Sequence, residues 1–325
     1  MGTDGMLAAV VRPGEHDGAA DMLRETECTL RTLEVQLSAW LDRSEVGRLN
    51  RAAANVEVPL SAPTMAILHA ARLAYAETDG AFDVTCLPQI DLWRQAAQRG
   101  IAPADAELAA ARAASNWSQV RLTETGAVKQ QAGVQLDLGG IAKGYAIDRA
   151  VEVLKRQGLP GGLVNLGGDL RCFGHTPAGG LWTIDLQHPF GEGKLGTITA
   201  TDVAVCTSGD YRRYVEVDGR RRSHILDPRT GQPAEAAASA TVMAPDAMTA
   251  DIWATALSVL GAEGLDMLPD EVDALIVVGD ESHHHLLMTD GFGRRFRSLV
   301  GREASGEGSL PPTPGARSSC WSRAG

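Results

Sequence analysis

Helical and strand-like segments follow one another along this chain without strict alternation, an order that favours an α+β fold over a doubly wound parallel sheet. Met22, Leu23, Leu30, Leu33, Leu37 and Leu41 recur near helical spacing over residues 20–41, and Ile67, Leu68, Ala71 and Tyr75 do so over 63–78. An alanine-rich stretch at 103–115 predicts a third helix, and short strands are predicted at 120–122, 127–129 and 134–138. Gly139 and Gly140 break the last of these, after which Ile147, Ala150, Val151 and Leu154 mark one face of a helix closed by Gly158 and Pro160. Strands then dominate, at 163–166, 182–186 and 198–206, with a pair at 212–217 and 220–226 joined by Asp218-Gly219, a strong hairpin signal. A long helix at 247–260 and strands at 274–278 and 285–288 complete the pattern. One domain over residues 1–300 is expected, and the Gly-, Ser-, Pro- and Arg-rich segment 301–325 is expected to be disordered.

Hydrophobic residues make up 44% and charged residues 22% of the chain, which excludes a disordered protein and a coiled coil. A net charge of −11 removes the broad attraction that nucleic acid needs, so an anionic ligand requires a local device and no nucleic-acid partner is expected. The cysteines, Cys28, Cys86, Cys172, Cys206 and Cys320, lie far apart without a CxxC pair, which argues against zinc and fits a reducing compartment. No stretch approaches the ~18 apolar residues of a membrane span, and no basic region with an apolar core opens the chain. As written, a cytoplasmic location is expected; a start further upstream would make an extracytoplasmic one the expectation.

Three constellations carry chemistry. In Val134-Gln-Leu-Asp-Leu-Gly-Gly-Ile-Ala-Lys-Gly-Tyr-Ala-Ile-Asp148 a strand passes through a diglycine turn into a helix with an early lysine, a setting in which helix-start N–H groups and Lys143 favour a phosphate. The same pattern also serves as packing punctuation, and it has neither Walker spacing nor GxGxxG. Asp251 and Thr255 stand four residues apart and share a helix face, giving two hard oxygen ligands suited to Mg²⁺, although a surface Asp with a back-bonded Thr has the same spacing. His224, at a strand end before a turn rich in Asp, Pro and Gly, is placed to act as a general base toward a hydroxyl, or else to serve structure. Adjacent histidines at 283–285 alternate between the faces of a strand and do not form a designed metal site.

In this order the segments resemble the ApbE family of FAD:protein FMN transferases over nearly all of residues 1–300. Met1-Gly-Thr3 is similar to the family's opening, whose methionine lies against the flavin nucleotide, and Trp40 falls where the family carries an aromatic residue at its FAD site. Thr78-Asp-Gly-Ala-Phe-Asp-Val-Thr85 matches Gly-x-Phe-Asp-x-Thr, and Asp91-Leu-Trp93 resembles Asn-Leu-Trp. Asp137-Leu-Gly-Gly-Ile-Ala-Lys-Gly-Tyr145 is the most characteristic stretch. Asn165-Leu-Gly-Gly-Asp169, Thr207-Ser-Gly-Asp-Tyr211, His224-Ile-Leu-Asp-Pro228 and Ala250-Asp-Ile-Trp-Ala-Thr255 complete the set. One departure is Cys86-Leu-Pro-Gln89, where the family usually has Val-Gly-Pro-Leu; a second is that nothing precedes Met1, where members commonly carry a signal sequence or lipoprotein cysteine.

The resemblance implies an α+β, T-fold-related architecture of mixed and antiparallel sheets with packed helices. It implies FAD contacts at Met1, Trp40, Asp83, Val84, Thr85, Asp137, Lys143 and Leu226, and Mg²⁺ held by Gly140, Asp251 and Thr255. His224 is the implied catalytic base. The expected activity is Mg²⁺-dependent cleavage of the FAD pyrophosphate, transfer of FMN to a Thr or Ser hydroxyl of an acceptor flavoprotein subunit of a redox system, and release of AMP. Two alternatives stand beside it: an FAD pyrophosphatase that passes FMN to water, and a flavin-binding protein without turnover, which would need no metal-and-base arrangement.

Overall fold

The computed structural model describes residues 3–12, 18–209, 214–299 and 316–321. Its centre is an eight-stranded sheet of β1 (Gly5–Val10), β2 (Gly161–Leu166), β3 (Asp169–Gly174), β4 (Val203–Gly209), β5 (Ser239–Ala244), β6 (Asp273–Gly279), β7 (His284–Met288) and β8 (Ala316–Trp321). The order is β7-β6-β5-β4-β3-β2-β1-β8, and every neighbouring pair is antiparallel. The fold is thus α+β, as the irregular order of elements predicts.

Period-two alternation sorts the sheet's side chains between two cores. Val164, Ala204, Cys206, Val242 and Ile276 face helices α1 (Ala19–Leu37), α3 (Ala142–Arg156) and α4 (Ala247–Leu260). Leu163, Val203, Val205, Met243 and Val277 face a small sheet of Trp182–Gln187, Lys194–Ala200 and Phe296–Ser298, which contributes Ile184, Leu186, Leu195 and Ile198. Because both faces are covered, β5 is buried at all six positions. No helix among the described residues is long and apolar enough to cross a membrane.

Three expectations change. The run 198–206 is two strands, not one: Asp202 takes a left-handed φ of 50°, turning the chain from the small sheet into β4. Residues 134–138 form no strand; their one bridge is Gln135 to Cys86. Side chains satisfy that backbone instead. Asn50 donates to the Leu136 carbonyl (2.8 Å) and accepts from its N–H (2.7 Å), while the fully buried Lys129 donates to the carbonyls of Asn50 (2.7 Å), Ala132 (3.2 Å) and Val134 (2.8 Å). The third is an unpredicted helix, α2 (Leu87–Arg99). The Asp218-Gly219 hairpin is present, with positive φ at both turn residues (52° and 69°), the conformation that suits the twist of paired strands. Segment 301–325 contributes only β8 to the described residues.

Candidate active site

The site begins where α3 and α4 touch. Gly144 is buried so tightly that an added Cβ would sit 2.1 Å from the Ala247 carbonyl oxygen. Four residues on, the Asp148 carboxylate accepts from the N–H groups of Ala247 (2.8 Å) and Met248 (2.9 Å), capping the start of α4, and also takes the Arg171 guanidinium at 2.6 Å. A carboxylate there satisfies free N–H groups and lies favourably in the helix dipole. This clamp fixes α4 against α3 and thereby sets the register between Lys143 and Asp251.

Asp251 is almost completely buried. Its Oδ1 accepts from Lys143 Nζ (3.0 Å) and its Oδ2 from the Gly144 N–H (3.0 Å). Lys143 also donates to Asp169, whose other oxygen accepts from the Thr207 N–H at 2.9 Å on β4. Burial disfavours the Lys143 ammonium, but the charges of Asp169 and Asp251 outweigh burial and raise its pKa, keeping it charged. Burial pushes the Asp251 carboxyl up to about 6, against the pull of Lys143 and with the push of Asp169.

Beside this array lie further oxygens. An added Cβ at Gly140 would come within 2.8 Å of Thr255 Oγ1, so the Gly140 backbone lies directly against that hydroxyl, and Ser208 Oγ is 3.4 Å from it. No group of three His, Cys, Asp or Glu converges among the described residues. A cation here would rest on the Asp251 carboxylate, the Thr255 hydroxyl and the Gly140 carbonyl, a hard-oxygen set that leaves room for water and phosphate oxygens and so fits Mg²⁺.

These groups lie in the wall of a cavity of about 450 Å³, within the range of small-molecule sites. The wall also includes Asp83, Val84, Asp137, His224 and Leu226. The Asp137 N–H donates to the Val84 carbonyl (2.8 Å) and its Oδ1 accepts from the Gly139 N–H (2.8 Å), so Asp137 ties the 82–85 loop to the diglycine turn. Burial raises the carboxyl pKa of both Asp83 and Asp137. From α2, Trp93 Nε1 donates to the Gly231 carbonyl (2.8 Å) and Gln89 to that of Pro228 (3.0 Å), holding the loop that follows His224. Gln89 belongs to the departing tetrapeptide, so the departure supplies a tether to that loop. Cys86 lines the cavity, and burial, with the Asp137 and Asp83 charges, pushes its thiol well up and keeps it protonated.

Nine residues singled out in the sequence thus share one cavity: Asp83, Val84, Asp137, Gly140, Lys143, His224, Leu226, Asp251 and Thr255. Thr85 is placed differently: it is fully buried off the wall, and its N–H (2.8 Å) and hydroxyl (2.7 Å) both donate to Asp83 Oδ1. Trp40 is exposed outside the wall, but the guanidinium of Arg94, a wall residue, lies over its ring at 4.2 Å. Met1, Asp210 and Tyr211 fall outside the described residues. Sequence reasoning gave no role to Asp169, Ser208 or Arg94. Asp169 and Ser208 carried a signal, one as the acid that closes Asn165-Leu-Gly-Gly-Asp169 and the other within Thr207-Ser-Gly-Asp-Tyr211; Arg94 enters only through tertiary packing.

The family model described as "ApbE family" matches residues 1–276. Among similar proteins, the FAD:protein FMN transferase of Klebsiella pneumoniae (strain 342) is 38% identical over 242 residues, covering 72% of this chain and 75% of that one. That of Vibrio cholerae is 33% identical over 268 residues, covering 81% and 80%. The solved structure of the flavin transferase ApbE from Vibrio cholerae superposes with a TM-score of 0.81 at 29% identity, covering 91% of this chain and 96% of that one.

Proposed function

The chain belongs to the ApbE family, and from that membership we propose that it transfers FMN from FAD to a Ser or Thr hydroxyl of an acceptor flavoprotein, a subunit of a redox system, and releases AMP. The observation that carries this reading is the buried Lys143–Asp251–Asp169 array set against Gly140 and Thr255 on a ligand-sized cavity. Mere flavin binding has no use for a charged lysine locked beside a hard-oxygen set, whereas pyrophosphate cleavage needs positive charge where negative charge develops.

Asp251, Thr255 and Gly140 would hold Mg²⁺, which would supply neutralisation of pyrophosphate charge. Lys143, held charged by its two carboxylates, orients the bridging phosphates. Asp137 and the 82–85 loop form the wall against which the flavin half rests. His224, on the same wall, takes the proton of the acceptor hydroxyl as its oxygen bonds to the FMN phosphorus. The P–O bond to the AMP half breaks at that phosphorus, and AMP leaves with the electron pair.

Mass spectrometry of a flavoprotein subunit incubated with the enzyme, FAD and Mg²⁺ tests the reading. A gain equal to FMN less water, matched by AMP, is expected. AMP release with no change in acceptor mass would make the protein a hydrolase and refute it. For His224, the expected result is that His224→Ala slows transfer by 10²-fold or more, the usual scale of a lost general base; transfer at the parent rate would remove it from the mechanism.

A further inference from the structure

The strand Trp182–Gln187 ends the small sheet, and among the described residues no strand pairs with its outer side. Four of its successive residues, Ile184, Asp185, Leu186 and Gln187, line the cavity. Side chains on a strand point alternately to opposite faces. A cavity lying on one face would therefore meet every second residue; this one meets Ile184, Asp185 and Leu186 in a row, ahead of the register shift between Leu186 and Gln187, and so meets the strand along its edge. The burial pattern agrees: Ile184 and Leu186 are buried in the core between the two sheets, while Asp185 and Gln187 are exposed.

The ladder also fixes which backbone groups face outward. The Thr199 N–H donates to the Arg295 carbonyl, so Thr199 turns its backbone groups toward the 296–298 strand and its neighbour Ile198 turns them the other way. Ile198 is opposite Ile184, so the groups of Ile184 face inward and those of Asp185 face the open edge. The Asp185 side chain is drawn aside to Lys194 at 2.8 Å and leaves that backbone position uncovered.

We propose that this edge is the docking surface for the acceptor, whose segment carrying the Ser or Thr binds in extended form as an additional strand beside Trp182–Gln187. The inference rests on the transferase reading and adds how the second substrate is held. Strand addition takes affinity from backbone hydrogen bonds and specificity from the alternate side chains that meet the surface. It also lays the new strand along the wall of the cavity that holds Lys143 and Asp251, which delivers a hydroxyl to the phosphate without a deep pocket for the acceptor's side chains.

The test uses the full chain with FAD and Mg²⁺. A synthetic octapeptide library with one fixed central threonine is incubated with the enzyme, flavinylated members are identified by mass, and the best is remade with a single backbone N-methyl group at each position in turn. Losses of tenfold or more at every second position, with much smaller effects between them, are expected, because only alternate N–H groups face the edge. In the enzyme, Asp185→Pro removes the edge donor at a position where proline is compatible with the fold; a rise of at least tenfold in the peptide KM, with a smaller change in kcat, is expected. Flavinylation with no period-two loss, or an Asp185→Pro enzyme with the parent KM, overturns the docking edge alone. Release of AMP with no flavinylated peptide overturns both the edge and the transferase reading.

Discussion

Gly144→Ala probes the contact on which the charge array depends. The added Cβ would lie 2.1 Å from the Ala247 oxygen, 2.6 Å from its carbonyl carbon and 2.7 Å from Met248 Cα, all backbone atoms that cannot rotate away. Non-bonded heavy atoms rest about 3.5 Å apart, so α3 and α4 must separate by more than about 1 Å. Overpacking of this kind costs about 1–3 kcal/mol. Alanine in a helix returns about 0.5–1 kcal/mol, while the loosened bond from the Gly144 N–H to Asp251 adds about 1.5–3 kcal/mol for a hydrogen bond to a charged group. The net loss is roughly 1.5–5.5 kcal/mol, or on the order of 5–15 °C in melting temperature for a domain of this size. The same displacement moves Asp251 away from Lys143, and misplacement by about 1 Å costs on the order of 10² in rate. Differential scanning calorimetry and an AMP-release assay measure both effects, with Gly133→Ala, whose Cβ would meet only Ala114 Cβ at 3.7 Å, as a neutral control. A Gly144→Ala protein that melts with the parent and turns over at the parent rate would refute the claim that this contact sets the site.

A cation site at Asp251 predicts competition between the cation and a proton: burial pushes this carboxyl up to about 6 before any cation binds, so the Mg²⁺ concentration giving half-maximal transfer should rise as pH falls through that region, and Asp251→Asn should lose the response to Mg²⁺. Asn50→Ala removes both bonds to the Leu136 backbone and leaves buried groups unpaired; urea denaturation should show a loss of about 2–4 kcal/mol. Burial alone lowers the Lys129 pKa to about 8. From about pH 8 to 10.5 the unfolded chain therefore binds more protons than the folded one, and stability from this group should rise with pH across that window by about 3 kcal/mol, a rise that Lys129→Met should abolish.

What could be read from the sequence was whatever local periodicity or turn chemistry encodes. The i, i+4 pair Asp251 and Thr255, the helix after Gly140 and the Asp218-Gly219 hairpin all depend on neighbours within one turn, and each stands where the pattern put it. The misreadings occurred where distant groups supply the hydrogen bonds. Residues 134–138 alternate like a strand, but Asn50, remote in sequence, and Lys129, just ahead of the segment, occupy the partners a neighbouring strand would have taken. The break at Asp202 carries no glycine or proline to announce it. In the site, Thr85 sits in a motif yet turns inward to Asp83, while Arg94 reaches the cavity because α2 is packed beside it.

The two walls of the cavity have separate structural ancestries within the molecule. Lys143, Asp251 and Thr255 ride on helices over one face of the eight-stranded sheet, and the strand Trp182–Gln187 belongs to a small sheet over the other. Substitutions that reshape the small sheet leave the Asp148 clamp and the Gly144 contact untouched. Natural variation, or a designer, can thus alter one wall of the site while the clamp keeps the chemistry of the other constant.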